Sequence, residues 1–267
     1  MRLTERKIFV FLTCILTAGL VTTILIFSLS RKFYYHLPLK TMLVKSSMTD
    51  MTSIIPNVVH MTYISRNHVP PKVWAQYERF APEFEVRFYD NAACVEYLRA
   101  HYHPRVLQRY LRLKSGPHRA DLFRYALLYK EGGIYLDVKT RLVRPLRECV
   151  DPSQNTTVLA PEKNAIYQGI IMTRPGEQIF LNLIYAILET PDLSLAFDYL
   201  LITRQMRDAV FQERSNWRLF VEKCSSQPTE VCEGRLDRYN LCCSVVDDSE
   251  EVMFATRFSD FPWDKPF

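Results

Sequence analysis

Charged residues occur inside an otherwise apolar stretch, RADLFRYALLYKEGGIYLDVKT, which runs from Arg119 to Thr140. Asp121 and Arg124 are three residues apart, so on a helix they share one face. Charges inside so apolar a helix are costly to desolvate unless a partner satisfies them. One interpretation is an internal ion pair on a solvated face. The other is a polar face that lines a cleft, where the hydroxyls of a ligand satisfy both groups.

Asp137 and Lys139 close the same stretch, after Gly132-Gly133 end the predicted helix and a short apolar strand follows. In open α/β sheets, ligands bind in the crevice beyond the carboxyl ends of the strands. A carboxylate at such a place is a reasonable ligand for a metal ion or a ribose hydroxyl. Lys139 differs from it chemically, because an ammonium group has three donors and no acceptor.

Strands alternate with helices along the chain, which predicts the open sheet of an α/β fold that would position these residues. The predicted strands are Val58–Tyr63, Phe84–Tyr89, Ile134–Val138, Thr157–Ala160 and Ile170–Thr173. The predicted helices are Val73–Phe80, Asn91–Ala100, Val106–Leu113, Pro117–Lys130, Gln178–Leu188 and Leu195–Glu213. Asp90 immediately precedes the second of these helices and is expected to cap it.

The N-terminus contains an uncharged apolar run, IFVFLTCILTAGLVTTILIFSL, from Ile8 to Leu29. As a helix this run spans about 33 Å, against a hydrocarbon core of about 30 Å. No A-x-A-like cleavage site follows it, which favours an uncleaved signal anchor over a cleaved signal peptide. The predicted organisation is a cytoplasmic tail (1–7), a transmembrane anchor (8–29), a stem (30–53) and a globular domain (54–267).

The charge balance argues against a nucleic-acid partner. The chain has 34 basic and 29 acidic residues, a formal net charge of +5. No basic run with interleaved aromatic residues is present, which is the usual signature of nucleic-acid binding.

Six cysteines follow the anchor, and this even number permits disulfides on the lumenal side of a membrane. The cluster Cys224, Cys232, Cys242 and Cys243 predicts a stapled loop region near the C-terminus. Zinc is the competing interpretation, although the cluster has neither a C-x2-C pair nor a nearby histidine. The sequon that begins at Asn155 accepts a glycan only in a secretory lumen.

Taken together, the segments RADLFRY and LYKEGGIYLDVKT resemble the glycosyltransferases whose sugar-binding region contains a DXD motif. The upstream segments IPNVVHMTY and FEVRFYDNAACVEYL are similar to that family's first strand, second strand and following helix. The resemblance covers residues 54–146 well and the remainder loosely. It implies a GT-A fold, a nucleotide-sugar donor and retention of the anomeric configuration.

The resemblance also implies roles for particular residues. Asp121 and Arg124 match the family's pair that contacts the hydroxyls of the donor sugar. His60 and Tyr63 fall in the strand whose end approaches the nucleotide base. Gln168 falls where the family places loop residues near the sugar and the acceptor.

Asp137 matches the first aspartate of the DXD motif, and Lys139 replaces the second, which in the family coordinates a divalent cation (Mn²⁺ or Mg²⁺). Both are predicted to be catalytic. Three explanations compete for the lysine. It points away while Asp137 and Asp260 hold the cation, its ammonium pairs directly with the donor diphosphate, or the protein is inactive.

The predicted function is therefore transfer of a hexose, with mannose favoured, from a nucleotide sugar to a glycan or glycolipid. The predicted location is a Golgi or ER membrane, in a single-pass type II orientation with the catalytic domain in the lumen. The alternative is a non-catalytic relative that binds sugars or partner proteins.

Overall fold

The computed structural model describes residues 43–45, 53–161, 164–237 and 239–257, which all belong to the structural unit spanning residues 40–267. The predicted anchor, 8–29, lies outside the described residues, as do the tail 1–7 and most of the stem. Within the described ranges, no helix has both the length and the apolar character needed to cross a membrane.

Nine strands in the described part of the chain form one mixed sheet in the order β2-β1-β3-β6-β5-β7-β8-β9-β4. They are β1 Val58–Thr62, β2 Glu85–Tyr89, β3 Gly133–Leu136, β4 Arg141–Leu142, β5 Asn155–Leu159, β6 Ile166–Thr173, β7 Trp217–Ser225, β8 Cys242–Val246 and β9 Val252–Ala255. β1 pairs in parallel with β2 and β3, and β5 with β7, while the other pairings are antiparallel. The predicted open α/β sheet is confirmed, and β4, β7, β8 and β9 extend it beyond the predicted strands.

Eight α-helices cover the sheet in the described ranges. They are α1 Pro71–Phe80, α2 Asn91–His101, α3 Pro104–Arg112, α4 Gly116–Glu131, α5 Leu146–Cys149, α6 Gln178–Glu189, α7 Asp192–Phe197 and α8 Leu201–Gln212. The expected cap of α2 is confirmed, since the Asp90 side chain accepts a hydrogen bond from the Ala93 amide. The single helix predicted over 195–213 is wrong. The chain turns between α7 and α8, where the Asp198 carboxylate pairs with Arg204 of the following helix.

The centre of the sheet follows from the alternation of side chains in β1. Val59 and Met61 point to one face and are fully buried. There they pack in one apolar cluster with Val73 and Tyr77 of α1, and the Tyr77 hydroxyl donates to the Met61 sulfur at 3.2 Å. This packing fixes β1 as a rigid neighbour for β3, the strand that leads to Asp137.

Helix α4 is buried on almost every side from Asp121 to Tyr129, which explains why its sequence there is apolar apart from Asp121 and Arg124. It ends at Gly132, where φ is +64°, and Gly133 follows with φ +92°. A β-carbon at Gly133 would lie 2.8 Å from the Val58 carbonyl oxygen, and one at Gly132 would lie 2.6 Å from the Pro175 nitrogen. Only glycine fits at both positions, so the chain can pass directly from α4 into β3.

Two disulfides confirm the stapled region predicted from the cysteine cluster. Cys224 of β7 is bonded to Cys243 of β8, and Cys232 is bonded to Cys242. The zinc interpretation is wrong, because all four sulfur atoms are consumed in these bonds. The first bond joins two neighbouring strands of the sheet, and the second ties the long β7–β8 connection to the start of β8.

The sequon does not support glycosylation of the folded domain. Asn155 lies in β5 and is fully buried, and its side-chain oxygen accepts a hydrogen bond from the Arg174 amide at 3.0 Å. A glycan requires an exposed asparagine nitrogen, so the interpretation of this site as glycosylated is wrong for the folded protein.

The two-glycine turn provides a stability test. Gly133→Ala should lower the free energy of unfolding by about 2–5 kcal/mol, because it combines an unfavourable positive φ with a clash against the Val58 carbonyl. Gly234→Ala is the matched control, since φ is also positive (+69°) but no atom lies within 4 Å of the added carbon. Its cost should be about 1 kcal/mol. Equal losses in urea denaturation would contradict the close approach at Gly133.

Candidate functional site

A cleft of about 1030 Å³ opens where β1 and β3 end. The two strands are parallel, so their carboxyl ends meet at the same edge of the sheet. Thr62 and Tyr63 reach the cleft from the end of β1, and Asp137 is the first residue after β3. The strand predicted to end at Val138 ends at Leu136, which places Asp137 in the following turn.

Four charged side chains form an alternating array along the cleft. Arg124 Nη2 lies 3.4 Å from Asp121 Oδ1 and 3.6 Å from Asp137 Oδ1. Lys139 Nζ lies 3.4 Å from Asp137 Oδ2. Asp121 and Arg124 are each only 5% exposed. The ion pair therefore exists, but it is buried and lines a cleft, so the interpretation as a solvated helix face is wrong.

Arg124 is fixed from several sides. Its Nε donates to the Ala120 carbonyl at 3.2 Å, and its Nη1 donates to the Gln168 carbonyl. The guanidinium carbon also lies 4.4 Å from the ring centroid of Tyr135. A guanidinium held by the helix, by β6 and by an aromatic face is positioned before any ligand arrives.

The two carboxylates of the array differ in proton affinity. Burial raises the pKa of Asp121 to about 6, and nearby Arg124 and His118 offset that rise only in part. Burial also acts to raise the pKa of Asp137, but Lys139 and Arg124 together outweigh it and hold that pKa below its ordinary value. Asp137 is therefore the more securely ionised of the pair.

Gln168 brings an unsatisfied amide to the cleft. It is 5% exposed, and neither side-chain amide atom has a hydrogen-bond partner among the described residues. The adjoining Gly169 carbonyl accepts a hydrogen bond from the Asp137 amide at 2.9 Å, which ties β6 to the array. Such an unpaired amide is unusual, because buried polar groups are normally hydrogen-bonded.

Of the two site residues predicted in the first strand, one lines the cleft and the other does not. Tyr63 lines the cleft, as the resemblance implies. His60 does not line it. The histidine is fully buried, and its Nε2 donates to the Gly132 carbonyl at 3.2 Å. Burial, reinforced by Arg87, lowers the pKa of His60 to about 4, so it is a neutral support of the glycine turn rather than a base-contacting residue.

The walls of the cleft contain residues that the sequence did not single out. The His118 Nε2 donates to the Tyr199 carbonyl at 3.0 Å, which fastens the turn between α7 and α8 to helix α4. Tyr239 and Arg257 line the opposite side, near the disulfide-tied connection. Among these residues, only His118 could have been found from the sequence, because it lies three residues before Asp121 and therefore on the same face of the helix. The others reach the cleft only through the tertiary fold.

The divalent cation implied by the resemblance does not fit the described residues around Asp137. Both Asp137 oxygens already face cationic groups, and Lys139 has no acceptor to offer a metal. Among the described residues, one set of three potential ligand atoms lies close together, that of Glu222, Cys224 and Cys243. Its two cysteines are joined in a disulfide. The predicted ligand Asp260 lies outside the described residues.

Lys139 points into the cleft and pairs with Asp137. The explanation in which it points away from the site is therefore wrong for this structure. It therefore presents a positive charge to the cleft at the sequence position where the resemblance implies a second motif aspartate.

A buried charge array at the carboxyl ends of parallel strands, facing a large cleft, is a candidate ligand-binding site. A sequence model of the family described as "Glycosyltransferase sugar-binding region containing DXD motif" matches residues 39–159. This match confirms the family resemblance over the segment that contains the charge array.

Two curated relatives are similar over part of the chain. One is "Uncharacterized glycosyltransferase L373" of Acanthamoeba polyphaga mimivirus, 32% identical over 89 residues, which are 32% of this chain and 36% of that protein. The other is "Inositol phosphoceramide mannosyltransferase 3" of Schizosaccharomyces pombe, 30% identical over 102 residues, which are 37% of this chain and 28% of that protein. The chain thus spans about a third of the length of the curated relatives it matches.

Among solved structures, the chain is similar to "PaToxG Glycosyltransferase", with a TM-score of 0.42 and 17% sequence identity. The superposition covers 72% of this chain and 77% of that one.

The raised pKa of Asp121 predicts a pH dependence of stability. Between its ordinary value of 3.8 and about 6, the folded protein holds a proton that the unfolded chain has released. The free energy of unfolding should therefore gain a contribution from Asp121 as the pH falls through this window, on the order of 3 kcal/mol.

The measurement is urea denaturation of wild type and Asp121→Asn at pH 7, 6, 5 and 4. The free energy of unfolding of wild type, relative to that of Asp121→Asn, should increase as the pH falls. The exposed substitution Asp208→Asn is the control. A difference that stays constant across this range would contradict the assigned environment of Asp121.

Proposed function

We propose that this chain is a retaining glycosyltransferase of the GT-A type, which moves a hexose from a nucleotide sugar to a glycan or glycolipid acceptor. The observation that carries the proposal is the buried Asp121–Arg124–Asp137 array in a cleft large enough for such a donor. The family match over residues 39–159 supports it.

The chemistry of the array suits a sugar. Each sugar hydroxyl both donates and accepts hydrogen bonds, so it can satisfy an Asp121 oxygen and an Arg124 N–H at once. The Gln168 amide offers two more donors and an acceptor beside them. A carboxylate and a guanidinium already in place can distinguish one arrangement of hydroxyls from another, since an analogue that lacks a hydroxyl leaves a buried group unpaired.

The transfer step breaks the bond between the sugar C1 and the diphosphate oxygen. The electron pair of that bond stays on the diphosphate, which leaves as the nucleoside diphosphate. The acceptor hydroxyl oxygen bonds to C1 and releases its proton. Charge therefore develops on the diphosphate and on the oxocarbenium-like sugar, and fixed charges aimed at those positions lower the barrier.

Retention, as the family resemblance implies, requires the acceptor to attack on the face from which the diphosphate leaves. The exposed rings of Tyr199 and Tyr239 lie at the mouth of the cleft, where an acceptor would enter. Mannose is the favoured hexose, because one similar protein is named as a mannosyltransferase.

The proposed location is a Golgi or ER membrane, with residues 8–29 as a type II anchor and the domain in the lumen. The two disulfides support this location, because such bonds persist in oxidising compartments and are rare in the cytosol.

The direct test is hydrolysis and transfer by the purified full chain with a panel of donors, GDP-mannose first among them. Asp137→Asn should lower turnover by about 100-fold or more, because it weakens the electrostatic arrangement around the leaving group. Circular dichroism should show that the variant is folded. Asp208→Asn, on the exposed side of α8, should retain wild-type turnover.

Turnover of Asp137→Asn equal to that of wild type would overturn the site assignment. The absence of turnover with every donor would favour a non-catalytic, sugar-binding protein.

A further inference from the structure

The described residues around Asp137 do not fit a divalent cation, but two cationic side chains, Lys139 and Arg257, line the same cleft. We propose that Lys139 and Arg257 form a cationic clamp that binds the diphosphate of a nucleotide sugar in place of a divalent cation. The inference rests on the proposed function, because it concerns the same donor in the same cleft.

Lys139 is held in position for such a role. Its Nζ lies 3.4 Å from Asp137 Oδ2 and 5.5 Å from the ring centroid of Tyr167. Lys139 also lines the cleft, so its positive charge faces the space that a donor would occupy. Asp137 thus orients an ammonium group rather than a metal ion.

Arg257 approaches the cleft from the end of β9. Its Nη1 lies 2.7 Å from Asp237 Oδ2, and Asp237 is itself fixed by accepting hydrogen bonds from the amides of Tyr239 and Leu241. The Arg257 Nε is buried and has no hydrogen-bond partner within the described ranges. The guanidinium is therefore anchored at one end and retains a donor that a phosphate oxygen would satisfy.

Tyr167 brings the two cations together. The Lys139 ammonium lies over its ring, and its hydroxyl donates to the carbonyl of Thr256 at 3.0 Å, the residue before Arg257. Both cations also act on the buried carboxylate of Glu222, where they oppose the rise in its pKa that burial causes. They therefore belong to one electrostatic neighbourhood, although 118 positions separate them in the sequence.

The charge balance matches that of a metal site. A divalent cation brings two positive charges to a diphosphate, and Lys139 with Arg257 brings the same number on fixed side chains. Arginine and lysine both bind phosphate groups, the first through paired N–H donors and the second as a compact charge. Such a clamp would stabilise the leaving diphosphate without a metal ligand set.

The test is calorimetric binding of GDP, UDP and inorganic pyrophosphate to the full chain, once with Mn²⁺ and once with EDTA. At least one of these probes should bind in EDTA with an affinity within about threefold of that in Mn²⁺. Lys139→Gln and Arg257→Gln should each weaken binding about tenfold or more, the loss expected for a hydrogen bond to a charged group. Lys223→Gln removes an exposed charge of β7 outside the cleft and should have no effect.

Conservative variants distinguish a loss of binding caused by the missing positive charge from one caused by unfolding. Lys139→Arg and Arg257→Lys keep the charge and should retain most of the binding, with melting temperatures close to that of wild type. Lys139→Asp introduces a carboxylate beside Asp137 and should make binding depend on Mn²⁺.

Three results would overturn the clamp: binding that disappears in EDTA, binding unaffected by Lys139→Gln or Arg257→Gln, and no binding of any probe in either condition. The outcome is separable from that of the proposed function. Probe binding in EDTA without turnover of any donor would support the clamp and reject the transferase. Turnover that requires Mn²⁺ would support the transferase and reject the clamp.

Discussion

The structure around the cleft depends on one buried interaction, the contact of Arg124 with two carboxylates. A guanidinium removed from water is tolerated only when opposite charges and hydrogen-bond acceptors surround it. Asp121 comes from the same helix, Asp137 from the end of β3, and the Gln168 carbonyl from β6. Three elements must therefore keep a fixed arrangement for the charge to be compensated.

The backbone around this contact is constrained accordingly. Gly132 and Gly133 allow α4 to end and β3 to begin without an intervening loop, so that both ends of the array come from adjacent elements. His60 supports that turn from within the sheet. The disulfides hold the β7–β8 connection as one wall of the cleft, which includes Tyr239, and Arg257 pairs with Asp237 of this connection. Rigid surroundings of this kind keep polar groups aimed at a ligand without further rearrangement.

Much of this arrangement could be predicted from local sequence. The spacing of Asp121 and Arg124, the glycine pair and the strand before Asp137 are contiguous features governed by helix and strand geometry. The cysteine cluster predicted a region stapled by disulfides, but it did not predict which cysteines are bonded to each other. His60 was misassigned, because a polar residue in a strand has no sequence mark that separates a cleft-facing position from a buried one.

Arg257 could not be found in this way, because it reaches the cleft only through the pairing of β8 with β9. The strands β7, β8 and β9 escaped prediction for a related reason. The pairing that stabilises them joins residues far apart in the sequence, and a local pattern does not reveal it.

The most direct measurement is a crystal structure of the protein with a bound nucleotide sugar, grown in the presence of EDTA. We predict sugar hydroxyls on Asp121 and Arg124, and diphosphate oxygens within hydrogen-bond distance of Lys139 and Arg257. A donor bound elsewhere, or a diphosphate out of reach of both cations, would contradict this prediction.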